Sequence, residues 1–125
     1  MKVTVEKNDK VAKMIFASIY PLYLNRLEKN GRTKEELDQV LTWFTGYDKA
    51  ALQTLINEKA TFKTFFQNAN IHANAHMIKG VVCGYRIEEI EDEFEVYKQC
   101  RQMEKLIDEL AKGRKMEKIL RVEKK

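Results

Sequence analysis

A single proline, Pro21, and five glycines punctuate 125 residues. A sandwich or barrel of many short strands needs far more turn chemistry than that. Long regular elements are required, and the apolar spacing says which kind. Leu37, Val40, Leu41 and Phe44 recur at i, i+3, i+4 and i+7, and Met103, Leu106, Ile107 and Leu110 repeat the pattern. Start and stop signals agree with helices. Thr33-Lys34-Glu35-Glu36 is a capping box, in which the threonine side chain serves the N–H of Glu36 and the glutamate reaches back. Asp48 and Thr61 stand as caps for helices carrying Leu52, Leu55 and Ile56, and Phe62, Phe65 and Phe66. Asn30-Gly31, Gly46 and Gly113 follow apolar-periodic stretches as C-terminal stops.

The remaining chain is read in the same way. Phe16, Tyr20, Tyr23 and Leu27 form one stripe, with Ile15, Ile19 and Leu22 beside it. Pro21 is harmless there if the helix begins near Ser18, and kinks it if the helix begins earlier. Residues 68–74 read as a polar connection, and a helix is expected to resume near Ala75 and to cross Gly80 and Gly84. Ile87, Ile90, Phe94 and Tyr97 make a further stripe, and Met116, Ile119 and Leu120 a terminal turn that packs back. The sum is an all-α fold: a small orthogonal helical bundle of five to seven helices with a long C-terminal helix, forming one domain over residues 1–125. Residues 1–10 read as a short edge strand or, preferably, a frayed N-terminal segment.

Composition bounds the class. Hydrophobic residues at 44% and charged residues at 34% suit one core and exclude a disordered chain. No apolar run approaches the roughly 18 residues of a membrane span, and Met1 to Lys10 has no signal-peptide core, so a soluble cytoplasmic protein is expected. Two cysteines make no disulfide framework, and Cys83 and Cys100 are expected as reduced, mostly buried thiols. A net charge of +4 predicts no nucleic-acid partner by itself.

The stretch from Ile78 to Asp92 holds most of the candidate chemistry. Two glycines four apart cost about 1 kcal/mol each in a helix, so something must approach the backbone at Gly80 and Gly84, a neighbouring helix or a ligand. No P-loop and no Gly-x-Gly-x-x-Gly occurs. Cys83 with Arg86 is the weak catalytic candidate, because a guanidinium lowers a thiol pKa, with His76 as its only nearby base. Apolar Val81 and Val82 argue instead for a packed, inert thiol. His72 and His76 have the spacing of a zinc pair but lack a third ligand, and no metal or cofactor is expected. Glu88, Glu91, Asp92 and Glu95 would share one helix face, a solvated surface, a divalent-metal patch or a docking face for a basic partner. The segment from Lys112 to Lys125 carries seven basic and two acidic residues, net +5. Lys115, Lys118 and Arg121 within it are candidates for a protein partner, for self-association, or for phosphates, although no aromatic is interleaved for base stacking. Trp43, Phe44 and Tyr47 around Gly46 read as core anchors.

Phe16-Ala17-Ser18-Ile19-Tyr20-Pro21-Leu22-Tyr23, Asn30-Gly31-Arg32-Thr33-Lys34, Trp43-Phe44-Thr45-Gly46-Tyr47, Ile78-Lys79-Gly80-Val81-Val82-Cys83-Gly84 and Leu106-Ile107-Asp108-Glu109-Leu110-Ala111-Lys112-Gly113 together resemble a bacterial family, domain of unknown function 2200. The resemblance runs from about Phe16 to Arg121. It implies a small, mainly helical bacterial protein and no particular activity. The chain departs from the family's pattern at Glu93-Phe94, where that pattern has a proline. The function expected from these readings is a non-enzymatic binding or regulatory module acting through protein contacts at Gly80, Gly84, Arg86, Glu88, Lys115, Lys118 and Arg121. Nucleic-acid binding through the basic segment, or a thiol enzyme using Cys83, are the alternatives.

Overall fold

In the computed structural model, which describes residues 3–121, the first helix forms where a frayed segment or edge strand was expected. Helix α1 (Val5–Ala12) is capped by Thr4, whose hydroxyl accepts from the Lys7 N–H at 3.2 Å. It is held by tertiary contact more than by its own apolar face. The Asn8 side chain accepts the Tyr97 N–H at 3.0 Å, serving an orphan donor in the first turn of the long helix α6 (Glu95–Ala111).

Helix α2 (Phe16–Lys29) starts earlier than Ser18, so Pro21 lies in its second turn and leaves one backbone carbonyl without its usual donor. Phe16, Tyr20 and Leu27 are buried as the stripe predicts, whereas Leu22 is 60% exposed. Helix α3 (Lys34–Thr45) begins with the complete Thr33–Glu36 capping box and ends at Gly46, whose φ of 76° is left-handed. A Cβ at Gly46 would sit 2.8 Å from the Asn70 carbonyl oxygen, so glycine is required for two reasons. Helices α4 (Lys49–Asn57) and α5 (Phe62–Gln67) carry the predicted Asp48 and Thr61 caps. A short antiparallel bridge, Ile15 to Thr61, ties the starts of α2 and α5 together. It rests on Phe16 N–H to Ala60 O at 2.9 Å and Phe62 N–H to Met14 O at 2.8 Å.

No helix crosses the two glycines. After a 3₁₀ turn over Ala73–Met77 the chain makes a hairpin of β1 (Val81–Val82) and β2 (Tyr85–Arg86), with Val82 opposite Tyr85. Its two-residue turn is Cys83-Gly84, with φ of 52° and 81°. Two successive left-handed residues are what a right-twisted hairpin demands and what a helix cannot accept. Short 3₁₀ turns over Ile87–Glu89 and Asp92–Phe94 then lead into α6. The apolar stripe Ile87, Ile90, Phe94, Tyr97 is therefore buried as expected but does not lie on one helix. Helix α6 is the centre of the bundle, packing against α1, α2, α3, α5, the hairpin and the short α7 (Met116–Ile119). Met103, Leu106, Ile107 and Leu110 are at most 1% exposed. The fold is predominantly helical, as expected, and among the described residues no helix is long and apolar enough to cross a membrane.

Candidate functional site

The hairpin rearranges the candidate residues. Gly80 and Gly84 do not form a helix contact. The Gly80 N–H donates to Glu88 Oε1 at 3.1 Å and its carbonyl accepts from the Ile87 N–H at 2.9 Å, so Gly80 and Glu88 close the hairpin base. The N–H groups of Glu88 itself and of Gly80 hold the Glu88 carboxyl below its ordinary pKa. Cys83 is exposed at the turn rather than buried, and Arg86 is exposed on β2. His76 Nδ1 is within 2.8 Å of the Ala73 carbonyl. Cys100 is buried, as expected. His72 stacks on Trp43 at 4.2 Å between ring centroids, and its Nδ1 accepts the Asn74 N–H, which makes it a structural residue. Among the described residues no group of three or more His, Cys, Asp or Glu is placed to hold a metal.

Three of the seven basic residues of the C-terminal segment make ion pairs within the fold. Arg121 grips the buried Glu109 through both terminal nitrogens, at 2.6 and 2.9 Å, and Arg114 reaches the same carboxylate at 3.2 Å. Lys112 pairs with Asp108 at 3.0 Å. Lys115 and Lys118 remain exposed, and Lys124 and Lys125 lie outside the described residues.

What the sequence left unassigned is a groove along the first half of α6. Two hollows of about 470 and 550 Å³ share Ile71, Glu95 and Gln99 and so run into one another. Phe66 and Val96 line one end of the floor, and Ala75, Ile78 and Ile87 the other. Gln102, itself buried, donates to the Ala75 carbonyl at 3.3 Å and pins the wall to the helix. Glu88, Asp92 and Glu95 stand on the lip of the larger hollow, with Lys98 tied to Asp92 at 3.0 Å. The acidic residues thus gather at one end of α6, though not on the single helix face that their spacing suggested.

That acidic run is electrostatically crowded. Glu91 beside Glu93, by hydrogen bond and by repulsion, raises the Glu93 pKa above the ordinary glutamate value. Glu91→Gln removes the like charge, so the Glu93 pKa should fall back toward that value. A carbon-detected NMR titration of the glutamate carboxyls reads this directly, and a Glu93 titration unchanged by Glu91→Gln would show that the crowding lies elsewhere.

These elements define a small single-domain helical bundle with one hairpin let into it. A solved structure described as the crystal structure of uncharacterized protein SP1917 is similar, with a TM-score of 0.82 and 33% identity over 90% of this chain and 91% of that one. The family model described as "Uncharacterized protein conserved in bacteria (DUF2200)" matches residues 10–121, and the chain belongs to that family. No curated protein matches the chain.

Proposed function

We propose that the protein is a non-enzymatic binding module that acts through protein contacts, and that its docking surface is the acidic-lipped groove on α6. The observation that carries this reading is the combination of an apolar floor with three carboxylates, Glu88, Asp92 and Glu95, against the single Lys98 around the larger hollow. Apolar side chains beneath Glu88, Asp92 and Glu95 offer burial, and the rim offers charge complementarity to lysine or arginine. The partner that fits is a basic amphipathic segment, whose cations would pair with Glu88 and Glu95. Phosphate binding through the C-terminal segment draws less support, because Arg121, Arg114 and Lys112 are engaged with Glu109 and Asp108.

A photo-reactive amino acid at Gln99 tests this in the living bacterium, with one at the exposed Leu22 of α2 as reference. A discrete protein adduct is expected from Gln99 and not from Leu22. Asp92→Lys with Glu95→Lys should reduce the adduct about tenfold or more while the helical circular dichroism is kept. No adduct at Gln99, or an adduct indifferent to the charge reversal, would sink the proposal.

A further inference from the structure

A second site lies apart from the groove, where α1, β2 and α6 meet. Lys7 Nζ donates to the Tyr85 hydroxyl at 2.6 Å and sits 5.3 Å from that ring's centre. Arg101 lies over the Tyr97 ring at 4.7 Å and donates from Nη2 to its hydroxyl at 2.9 Å. The two tyrosine rings meet edge to face at 5.3 Å. Tyr97 is fixed at its backbone by Asn8, which also fixes the α1 turn that carries Lys7 and Lys10. These groups surround an open hollow of about 290 Å³, walled on its apolar side by Val11 and Met14.

The charge of this hollow is one-sided. Lys7, Lys10 and Arg101 line it, and no acidic residue does. Glu104 pairs with Arg101 without lining the hollow, which leaves the equivalent of two positive charges. The Lys10 side chain makes no hydrogen bond or ion pair among the described residues. Lys7 and Tyr97 hold the Tyr85 phenol below its ordinary pKa, since each favours negative charge on that oxygen.

We propose that Lys7, Lys10 and Arg101, set around Tyr85 and Tyr97, form a binding site for a small phosphate monoester carrying an aromatic or branched apolar body. A phosphate monoester has a second pKa near 6 and so brings close to two negative charges at neutral pH, matching the two uncompensated cations. A carboxylate brings one. The volume is that of about ten waters, enough for a phosphoryl group and one ring. Val11, Met14 and the tyrosine faces supply the apolar contact that inorganic phosphate cannot use. The site shares no lining residue with the groove, so the inference does not depend on the proposed partner.

Phenyl phosphate is the probe, titrated into the full chain and followed by NMR. Saturable shifts are expected at Lys7, Tyr85, Tyr97 and Arg101, with inorganic phosphate and benzoate each binding about tenfold more weakly or worse. Lys10→Glu, at an exposed residue with no partner to lose, should weaken phenyl phosphate by at least about tenfold and leave the rest of the spectrum in place. The site is refuted if no saturable shift appears at these residues or if Lys10→Glu leaves the affinity unchanged. Benzoate binding as tightly as phenyl phosphate would overturn the charge assignment, and inorganic phosphate doing so would overturn the apolar body.

Discussion

Phe16→Ala should lower the unfolding free energy by about 4 kcal/mol, the middle of the range for deleting a buried phenylalanine. Phe16 is fully buried at the start of α2. Its ring stacks on Phe65 at 4.3 Å and meets Tyr20 and Phe62 edge-on at 5.8 and 6.2 Å. The site is unable to collapse easily, because the backbone from Met14 to Phe16 is pinned by the bridge to α5. A domain of this length has about 6–15 kcal/mol of total stability, so one substitution removes a large part of it. In urea the midpoint should fall by about 2 M with an unchanged slope. Phe16→Leu keeps most of the volume and should cost less than about 1.5 kcal/mol. A loss below about 1 kcal/mol for Phe16→Ala would mean that the aromatic cluster is not the centre of the α2–α5 packing.

The helical frame was legible because its signals are local. Thr33 and Glu36 are three apart, and their reciprocal hydrogen bonds need nothing beyond that turn. Asp48, Thr61, Gly46 and Gly113 likewise act on the residues beside them. The stretch from Gly80 to Glu95 was misread because two glycines four apart look the same whether a helix needs close packing or a hairpin needs left-handed backbone. A distinguishing signal was present. Val81 and Val82 before Cys83-Gly84, and Tyr85 after it, are strand formers flanking a two-residue turn that ends in glycine. Helix α1 was missed because its apolar content is low and its stabilising contact, Asn8 to Tyr97, spans most of the chain. The same holds for the cation cluster. Tyr97 and Arg101 are neighbours on one helix, but Lys7, Lys10 and Tyr85 reach them only through the fold.

Arg121 gives the second large effect, and it reverses the role suggested by a basic terminal segment. Its guanidinium is 12% exposed and the Glu109 side chain 6%, so neither charge is well solvated. The Arg121 carbonyl also accepts from Asn74 Nδ2 at 3.0 Å, and its φ of 46° is left-handed, so the residue is clamped at both ends. Glu109→Ala leaves Arg121 without its carboxylate and should cost about 3 kcal/mol, the scale for breaking a buried pair by removing one partner. Arg121→Ala should cost nearly as much, with only the half-exposed Arg114 left to Glu109. The expense is that of an uncompensated charge, not of a lost attraction. The double variant Glu109→Leu with Arg121→Met should therefore recover most of the stability lost by either single change. Both single losses should also persist in about 1 M salt, since a buried pair is poorly screened. Losses below about 1 kcal/mol that vanish with salt would instead place the pair among ordinary surface contacts and return Arg121 to the surface available for partners.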